Sequence, residues 1–199
     1  MIFLRIITKP NVNREKINDL ETKYNWTWEH TTTASEEKPF EQIWSTRDKQ
    51  TAIHYIEDKL IDVCYFFIEG RENEVISNIK SSLEIFDEKE ICQMFESAVE
   101  KDEYVQATYY LGVAAPPYIV EKGATPESNP EFLELFKRAF SHSEVDVRRA
   151  AIIAACFAGW REFRELLEKL KNQDVDSEIR YLADVALTSL SNKNWQEAK

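Results

Sequence analysis

One uninterrupted run of apolar residues lies at 150–158, where alanine, isoleucine, cysteine and phenylalanine follow one another without a polar break. A surface helix has polar residues every few positions, so this run predicts a helix buried between neighbours. Gly159 can adopt the left-handed conformation that ends a helix, and residues 160–170 then place their charges on one side of a second helix. Together these features predict a helical hairpin at the centre of a stack.

Residues 1–70 show a different pattern, because short segments rich in β-branched and aromatic residues alternate with turns. Such segments are typical of strands, and one helix is predicted after the first of them, over 13–24. The polar stretch 30–39 is predicted to be a loop. We expect a four-stranded, mostly antiparallel sheet in the order βαβββ, with strands at 1–8, 41–46, 51–57 and 60–68.

From residue 87 onward, apolar positions recur at helical spacing. A helix over 73–86 fits either part of the chain, since it can cover the sheet or begin the helical array. The fold class is therefore α+β, with a small sheet domain at 1–70 and a helical domain at 71–199. Besides the hairpin, helices are predicted at 88–99, 104–115, 131–140 and 177–190.

The helical part contains an internal repeat. Each copy has a polar turn, then a β-branched residue, then a long polar side chain that enters an alanine-containing helix; the copies are 100–106, 142–148 and 174–180. The intervals are 42 residues (100 to 142) and 32 residues (142 to 174). Repetition at this scale predicts helix pairs that bury their apolar faces against the neighbouring pair.

The segments DVDSEIR at 174–180 and, less closely, HSEVDVR at 142–148 resemble the HEAT repeat. In that family an aspartate precedes a Val/Ile-Arg pair at the start of the first helix, and small residues follow. The resemblance covers roughly 100–190. It implies a short α-solenoid, a fold generally used as a scaffold or a protein-binding surface.

The resemblance also implies a ladder of ion pairs between neighbouring repeats. Arg148, Asp174 and Arg180 occupy the ladder positions of the family. His142 stands where the aspartate of the middle copy is expected, and Gln106 replaces the arginine of the first copy. An incomplete ladder is therefore expected.

Charge and composition limit the partners and the location. The formal net charge of −11 argues against binding of nucleic acid or anionic membranes, which need basic surfaces, and favours a basic protein partner. No segment approaches about 18 consecutive apolar residues, and the apolar start is too short for a signal peptide, so the expected location is the cytoplasm. The scattered Cys64, Cys92 and Cys156 lie in apolar settings and indicate buried, reduced thiols.

Little in the sequence suggests catalysis. The three histidines have no HxH or HExxH spacing, so neither a metal nor another cofactor is expected. His54 and Cys64 can in principle form a nucleophilic pair. A thiol among apolar neighbours has a raised pKa, however, and is predicted to be inert, so no catalytic residue is assigned.

Aromatic and basic side chains are the best candidates for binding a partner. Two tyrosines are adjacent in one predicted helix, so one of them is expected at the surface, where tyrosine often anchors interfaces. A local basic cluster in this acidic chain can meet the acidic groups of a partner. The candidate residues are Tyr109, Tyr110, Tyr118, Arg149, Arg161 and Arg164.

These patterns predict a non-enzymatic protein-interaction module, such as a scaffold, an adaptor or an immunity-type inhibitor. The partner would bind on the ridge or concavity that the first helices of the repeats form. The alternative comes from the resemblance, because HEAT-like chains include bilin-attaching lyases and accessory factors. Such a protein would hold a cofactor in a pocket between sheet and repeats, near Tyr109, Tyr110 or His54.

Overall fold

The chain divides into two compact units, Met1–Asp87 and Glu88–Lys199. The first contains an antiparallel sheet with two helices, and the described part of the second is helical, so the predicted α+β class is confirmed. Within the part of the chain that is described, no helix is both long and apolar enough to cross a membrane. The computed structural model describes residues 2–36, 38–71, 73–116 and 129–193.

The sheet of the first unit consists of β1 (Ile2–Ile7), β2 (Thr27–Thr32), β3 (Phe40–Ser45), β4 (Ala52–Asp58) and β5 (Val63–Gly70). Its spatial order is β1-β5-β4-β3-β2. Every neighbouring pair is antiparallel. The strands β1 and β2 therefore form the two edges.

Strand β2 is the strand that the sequence pattern does not predict. It pairs with β3, for example through Thr31 and Gln42, and its register shifts between Trp28 and His30. Its side chains are largely exposed, as is common for an edge strand, so it lacks the apolar alternation that marks a half-buried strand. The loop predicted at 30–39 is thus wrong at its start, and the sheet has five strands instead of four.

Two helices pack on the sheet, α1 (Arg14–Tyr24) and α2 (Asn73–Ser82). Asn13 caps α1, because its side chain accepts a hydrogen bond of 3.0 Å from the backbone N–H of Lys16. The sequence left open whether the helix predicted over 73–86 covers the sheet or begins the helical array. In the structure this helix is α2, which belongs to the first unit. Both helices and the sheet contribute to one core, which includes Ile17, Leu20, Trp44, Phe66, Val75 and Ile79.

The second unit contains α3 (Glu88–Ser97), α4 (Lys101–Ala114), α5 (Pro130–Phe140), α6 (Val145–Ala158), α7 (Phe163–Gln173) and α8 (Ser177–Lys193). Helix α6 lies between α4 and α8 and also contacts α5. Helix α7 packs against α8 and α5. The pairs α5–α6 and α7–α8 therefore lie side by side.

Helix α6 contains the apolar run, and most of that run is buried. Gly159 ends the helix with a φ of 68°, as predicted. A Cβ atom on Gly112 would lie 2.6 Å from the Cα atom of Ala154, so α4 and α6 are nearly in backbone contact. Cys156 is the exception to the predicted burial, because it is exposed.

Candidate functional site

Arg148 is a buried arginine that links the turn before α6 to the turn before α8. Its Nε and Nη2 atoms donate to the Oδ2 and Oδ1 atoms of Asp174 at 2.7 and 2.9 Å. Its Nη1 atom donates to the carbonyl oxygens of His142 and Ser143, at 2.8 Å in each case. Burial is the largest single influence on Asp174 and by itself would raise its pKa. The hydrogen bonds from Arg148 and from the N–H of Asp176, together with the charges of Arg148 and Arg180, outweigh burial and hold that pKa below its usual value.

Arg180 makes the same contacts within its own turn, 32 residues further along the chain (148 to 180). Its Nη1 atom donates to the carbonyl oxygens of Asp174 and Val175 at 2.7 and 3.1 Å. Both arginines thus close the turn that precedes their helix. Arg148 additionally reaches the carboxylate of the following turn, so its role is structural.

His142 replaces the expected aspartate but keeps one of its contacts. Its Nδ1 atom accepts a hydrogen bond of 3.2 Å from the backbone N–H of Glu144. In the next turn, the Oδ1 atom of Asp174 accepts the equivalent bond of 2.9 Å from the N–H of Asp176. The ring of His142 also packs at a tilt against Tyr104 of α4, with 4.6 Å between the ring centroids. An aromatic contact therefore lies where the incomplete ladder lacks an ion pair.

A chain of ion pairs joins the first turns of α4, α6 and α8. Lys101 contacts Asp146 at 2.8 Å, and Arg149 contacts the other oxygen of Asp146 at 2.5 Å. Arg149 also contacts Glu178 of α8 at 3.0 Å. These contacts fix the register of the three helices where they begin. They also place Arg149, a predicted partner-binding residue, within an intramolecular network.

The same contacts define a surface that α6 and α8 present together. Ile153 and Cys156 follow Arg149 by four and seven positions and lie on its face of α6, while Tyr181 and Val185 follow Glu178 by three and seven positions on α8. Tyr181 is 67% exposed and Val185 is 47% exposed. We call Ile153, Cys156, Tyr181 and Val185 the α6–α8 ridge.

The ridge residues of α8 are not among the binding residues predicted from the sequence. A signal was present, because the buried residues of α8 are Ile179, Ala183, Ala186 and Leu190, which leaves the opposite side of the helix to Tyr181 and Val185. An apolar pair on the polar side of an amphipathic helix is the feature that would have identified this surface from the sequence.

Tyr109 and Tyr110, which the sequence predicted as binding residues, do not belong to the α6–α8 ridge. Tyr110 is 8% exposed and belongs to the core, and Tyr109 beside it is half-buried, so the pair offers little open surface. Tyr118 lies outside the described residues. Of the predicted arginines, Arg161 is exposed before α7, and Arg164 contacts Glu168 on the same helix at 3.1 Å. Neither arginine lies on α6 or α8.

His54 and Cys64 do not form a nucleophilic pair. In the register of β4 and β5, His54 lies opposite Phe67, whereas Cys64 lies opposite Glu57. Side chains at 54 and 57 point to opposite faces of the sheet, since they are an odd number of positions apart. His54 instead contacts Glu41 through Nδ1 at 2.8 Å, and burial is the main cause that raises the pKa of the Cys64 thiol.

The metal-ligating side chains of the described residues do not converge on one point. Among these residues, no group of three or more histidines, cysteines, aspartates or glutamates is placed to hold a metal ion.

The α6–α8 ridge is built by two packed helices and two sets of interhelical ion pairs. Comparisons of the chain with family models, with curated proteins and with solved structures found no match.

Proposed function

We propose that this protein is a non-enzymatic protein-interaction module that binds its partner through the α6–α8 ridge. The observation that carries this proposal is the exposure of Tyr181 (67%) and Val185 (47%) on successive turns of one helix. Tyrosine is enriched among the residues that dominate the binding energy of protein interfaces. A partner that covers this apolar pair removes it from water, which favours association.

The ion pairs at the start of α6 and α8 support a preformed binding surface. Arg148 and Asp174 join the turns before α6 and α8, and Arg149 and Glu178 join the first turns of the two helices. Both helices are therefore held before a partner arrives. A surface that is already ordered loses less conformational entropy on binding, so more of the contact energy appears as affinity.

The negative charge of the chain favours a partner whose basic residues lie next to the apolar residues that contact the ridge. Glu178 precedes Tyr181 by one turn, and 59% of its side chain is exposed. The whole chain carries a formal net charge of −11. Complementary charge speeds the encounter of two proteins and selects their relative orientation, so basic side chains next to the ridge would favour the complex.

Two further assignments belong to the same proposal. The repeated turn contacts of Arg148 and Arg180 support a HEAT-like second unit, with scaffolds, adaptors and inhibitors as the corresponding functional classes. None of the three cysteines forms a disulfide, which supports a cytoplasmic location. Both assignments fit a module whose task is to bind another protein.

Affinity capture from the source cells tests the proposed function. The bait is the tagged full chain, compared with its Tyr181→Ala/Val185→Ala variant by quantitative mass spectrometry. We expect at least one captured protein to fall by about tenfold or more with the variant. The matched control is Leu60→Ala/Val99→Ala, which removes side chains that are 79% and 80% exposed elsewhere. Identical capture by all three baits would contradict the proposal.

A further inference from the structure

A cleft of about 360 Å³ opens between the turn that joins α5 to α6 and the turn that joins α7 to α8. Its lining residues come from these turns and from the adjoining helices, and none of them belongs to the α6–α8 ridge. Small-molecule sites in proteins begin at about 300 Å³. The cleft therefore has room for a small ligand and is separate from the proposed protein-binding surface.

The polar floor of the cleft is already neutralised. Arg148 and Asp174 both line it, and all three guanidinium nitrogens of Arg148 are hydrogen-bonded to Asp174 or to the carbonyl oxygens of the preceding turn. The carboxylate of Asp174 accepts from Arg148 and from the N–H of Asp176. Because the charges of Arg148 and Asp174 compensate each other, the pair forms part of the cleft wall but adds little net charge to it.

Two unengaged polar side chains stand at the rim. Lys169 and Gln173 lie one turn apart on α7, and both line the cleft and are exposed. In the described part of the chain, neither the side chain of Lys169 nor that of Gln173 makes a hydrogen bond or an ion pair. His142 also lines the cleft, and because its Nδ1 atom accepts the N–H of Glu144, its Nε2 atom remains as a donor. The available groups are thus one cation and neutral donors.

Apolar side chains complete the lining. Phe140, Leu166 and Leu170 come from the helices that flank the cleft. A ligand that matches this arrangement has an apolar part for these side chains and one negative charge for Lys169. A phosphate group suits the cleft less well, since phosphate sites typically combine arginine forks with backbone N–H groups.

We propose that this cleft binds an amphipathic carboxylate. The carboxylate contacts the ammonium of Lys169 and the amide N–H of Gln173, and the apolar part of the ligand packs on Leu166 and Leu170. Two sources share this chemistry: a free aliphatic carboxylic acid, and the C-terminal residue of a peptide with an apolar side chain. The proposal goes beyond the proposed function and does not depend on it.

Titration of the ¹⁵N-labelled full chain with sodium hexanoate, followed by NMR, tests the proposal. A ligand of this size binds in the millimolar range, so the titration extends to about 20 mM. We expect amide shifts at Leu166, Leu170 and Gln173 and in the turn that contains His142. Hexylamine, which has the same apolar chain and the opposite charge, should cause none of them.

Variants of single lysines identify the anchor of the carboxylate. Lys169→Gln should weaken hexanoate binding about tenfold, because the ligand loses a charge-assisted hydrogen bond. Lys137→Gln is the matched control, since Lys137 is an exposed lysine of α5 that does not line the cleft. Absence of shifts with hexanoate, equal shifts with hexylamine, or unchanged affinity in Lys169→Gln would each overturn the proposal.

A peptide distinguishes the two sources. The probe is acetyl-Gly-Gly-Ser-Leu with a free C-terminus, compared with its C-terminal amide. Tighter binding of the free acid than of hexanoate assigns the site to a peptide C-terminus, and the reverse order assigns it to a free acid. Equal binding of the peptide acid and its amide would contradict the role of the carboxylate. Partner capture by the ridge variant is a separate readout, so the two proposals fail independently.

Discussion

The guanidinium of Arg148 holds both carboxylate oxygens of Asp174 across the two turns that precede α6 and α8. Only 10% of the Arg148 side chain and 4% of the Asp174 side chain are exposed. Each charge has been removed from water and depends on the other for compensation. The contact therefore joins the pairs α5–α6 and α7–α8 and helps to fix the relative position of the two ridge helices, α6 and α8.

Removal of one member of this pair should destabilise the protein strongly. Arg148→Ala leaves the Asp174 carboxylate buried and without its partner, so we expect the free energy of unfolding to fall by about 3–5 kcal/mol. Urea denaturation followed by circular dichroism measures the change. Arg164→Ala, which breaks the exposed pair with Glu168, is the control and should cost less than about 1 kcal/mol. If both variants lost the same unfolding free energy, the buried Arg148–Asp174 pair would be no more stabilising than an exposed one, which would contradict this prediction.

The pH dependence of the unfolding free energy should reflect the ionisation of Asp174. Its pKa is lower in the folded state than in the unfolded chain, so ionisation of Asp174 favours the folded state. This stabilisation is fully present above the unfolded value of about 3.9 and is lost as the pH falls through the lower folded pKa. The free-energy difference between the wild type and Asp174→Asn should therefore be largest near neutral pH.

The Asp174→Asn comparison isolates this carboxylate from others. Asp146 and Glu103 also have lowered pKa values, but they are present in both proteins, so their contributions cancel in the difference. We expect the difference, measured by urea denaturation at several pH values, to shrink below about pH 4. A difference that stays constant down to about pH 2 would show that the Asp174 carboxylate does not stabilise the fold.

Variants of His142 separate its two contacts. His142→Asn keeps a side-chain acceptor for the N–H of Glu144 but removes the ring that packs against Tyr104, so the expected loss of stability is about 0.5–1.5 kcal/mol. His142→Ala removes both contacts and should lose about 1 kcal/mol more. Thermal and urea unfolding measure both. If Asn and Ala cost the same, the hydrogen bond to the turn contributes nothing.

Gly112 should not tolerate a methyl group. In an open helix, replacing glycine by alanine stabilises by about 1 kcal/mol. Here the new Cβ atom would lie 2.6 Å from both the Cα and the Cβ atoms of Ala154, so α4 and α6 must separate. We expect Gly112→Ala to lower the unfolding free energy by about 1–3 kcal/mol, and Ala154→Gly to restore only part of it. A stabilised Gly112→Ala protein would show that the two helices are not in close contact.

Much of the architecture could be predicted from local patterns in the sequence. The apolar run of α6 and its end at Gly159 depend on the burial of one helix and on one left-handed residue, and both are visible in a short window. The central strands were also predictable, because they are rich in β-branched and aromatic residues and partly alternate apolar and polar positions. Strand β2 was not, since its exposed side chains carry no such alternation.

The binding surface was harder to predict because exposure depends on packing between distant helices. Tyr110 was a candidate because two adjacent tyrosines cannot both face one core, yet it is 8% exposed. Arg149 was a candidate because of its charge, and its partners Asp146 and Glu178 lie in the first turns of α6 and α8. Spacing along one helix does not reveal a contact across two helices, so these assignments required the packed structure.

The ridge residues should contribute little to stability. Tyr181 and Val185 are largely exposed, so Tyr181→Ala/Val185→Ala should change the free energy of unfolding by less than about 1 kcal/mol. Urea denaturation of this double variant checks that a loss of binding is not caused by unfolding. A loss of several kcal/mol would instead place these side chains in the core.

Photo-crosslinking in the source cells is the direct test of whether the α6–α8 ridge binds a partner. Benzoylphenylalanine is placed at position 181 on the ridge or, as a control, at position 99, where Val99 is 80% exposed in a turn. We expect a protein that crosslinks to position 181, does not crosslink to position 99, and is no longer crosslinked when Val185→Asp is added. No crosslinked protein at position 181, or the same proteins at both positions, would contradict a partner-binding ridge.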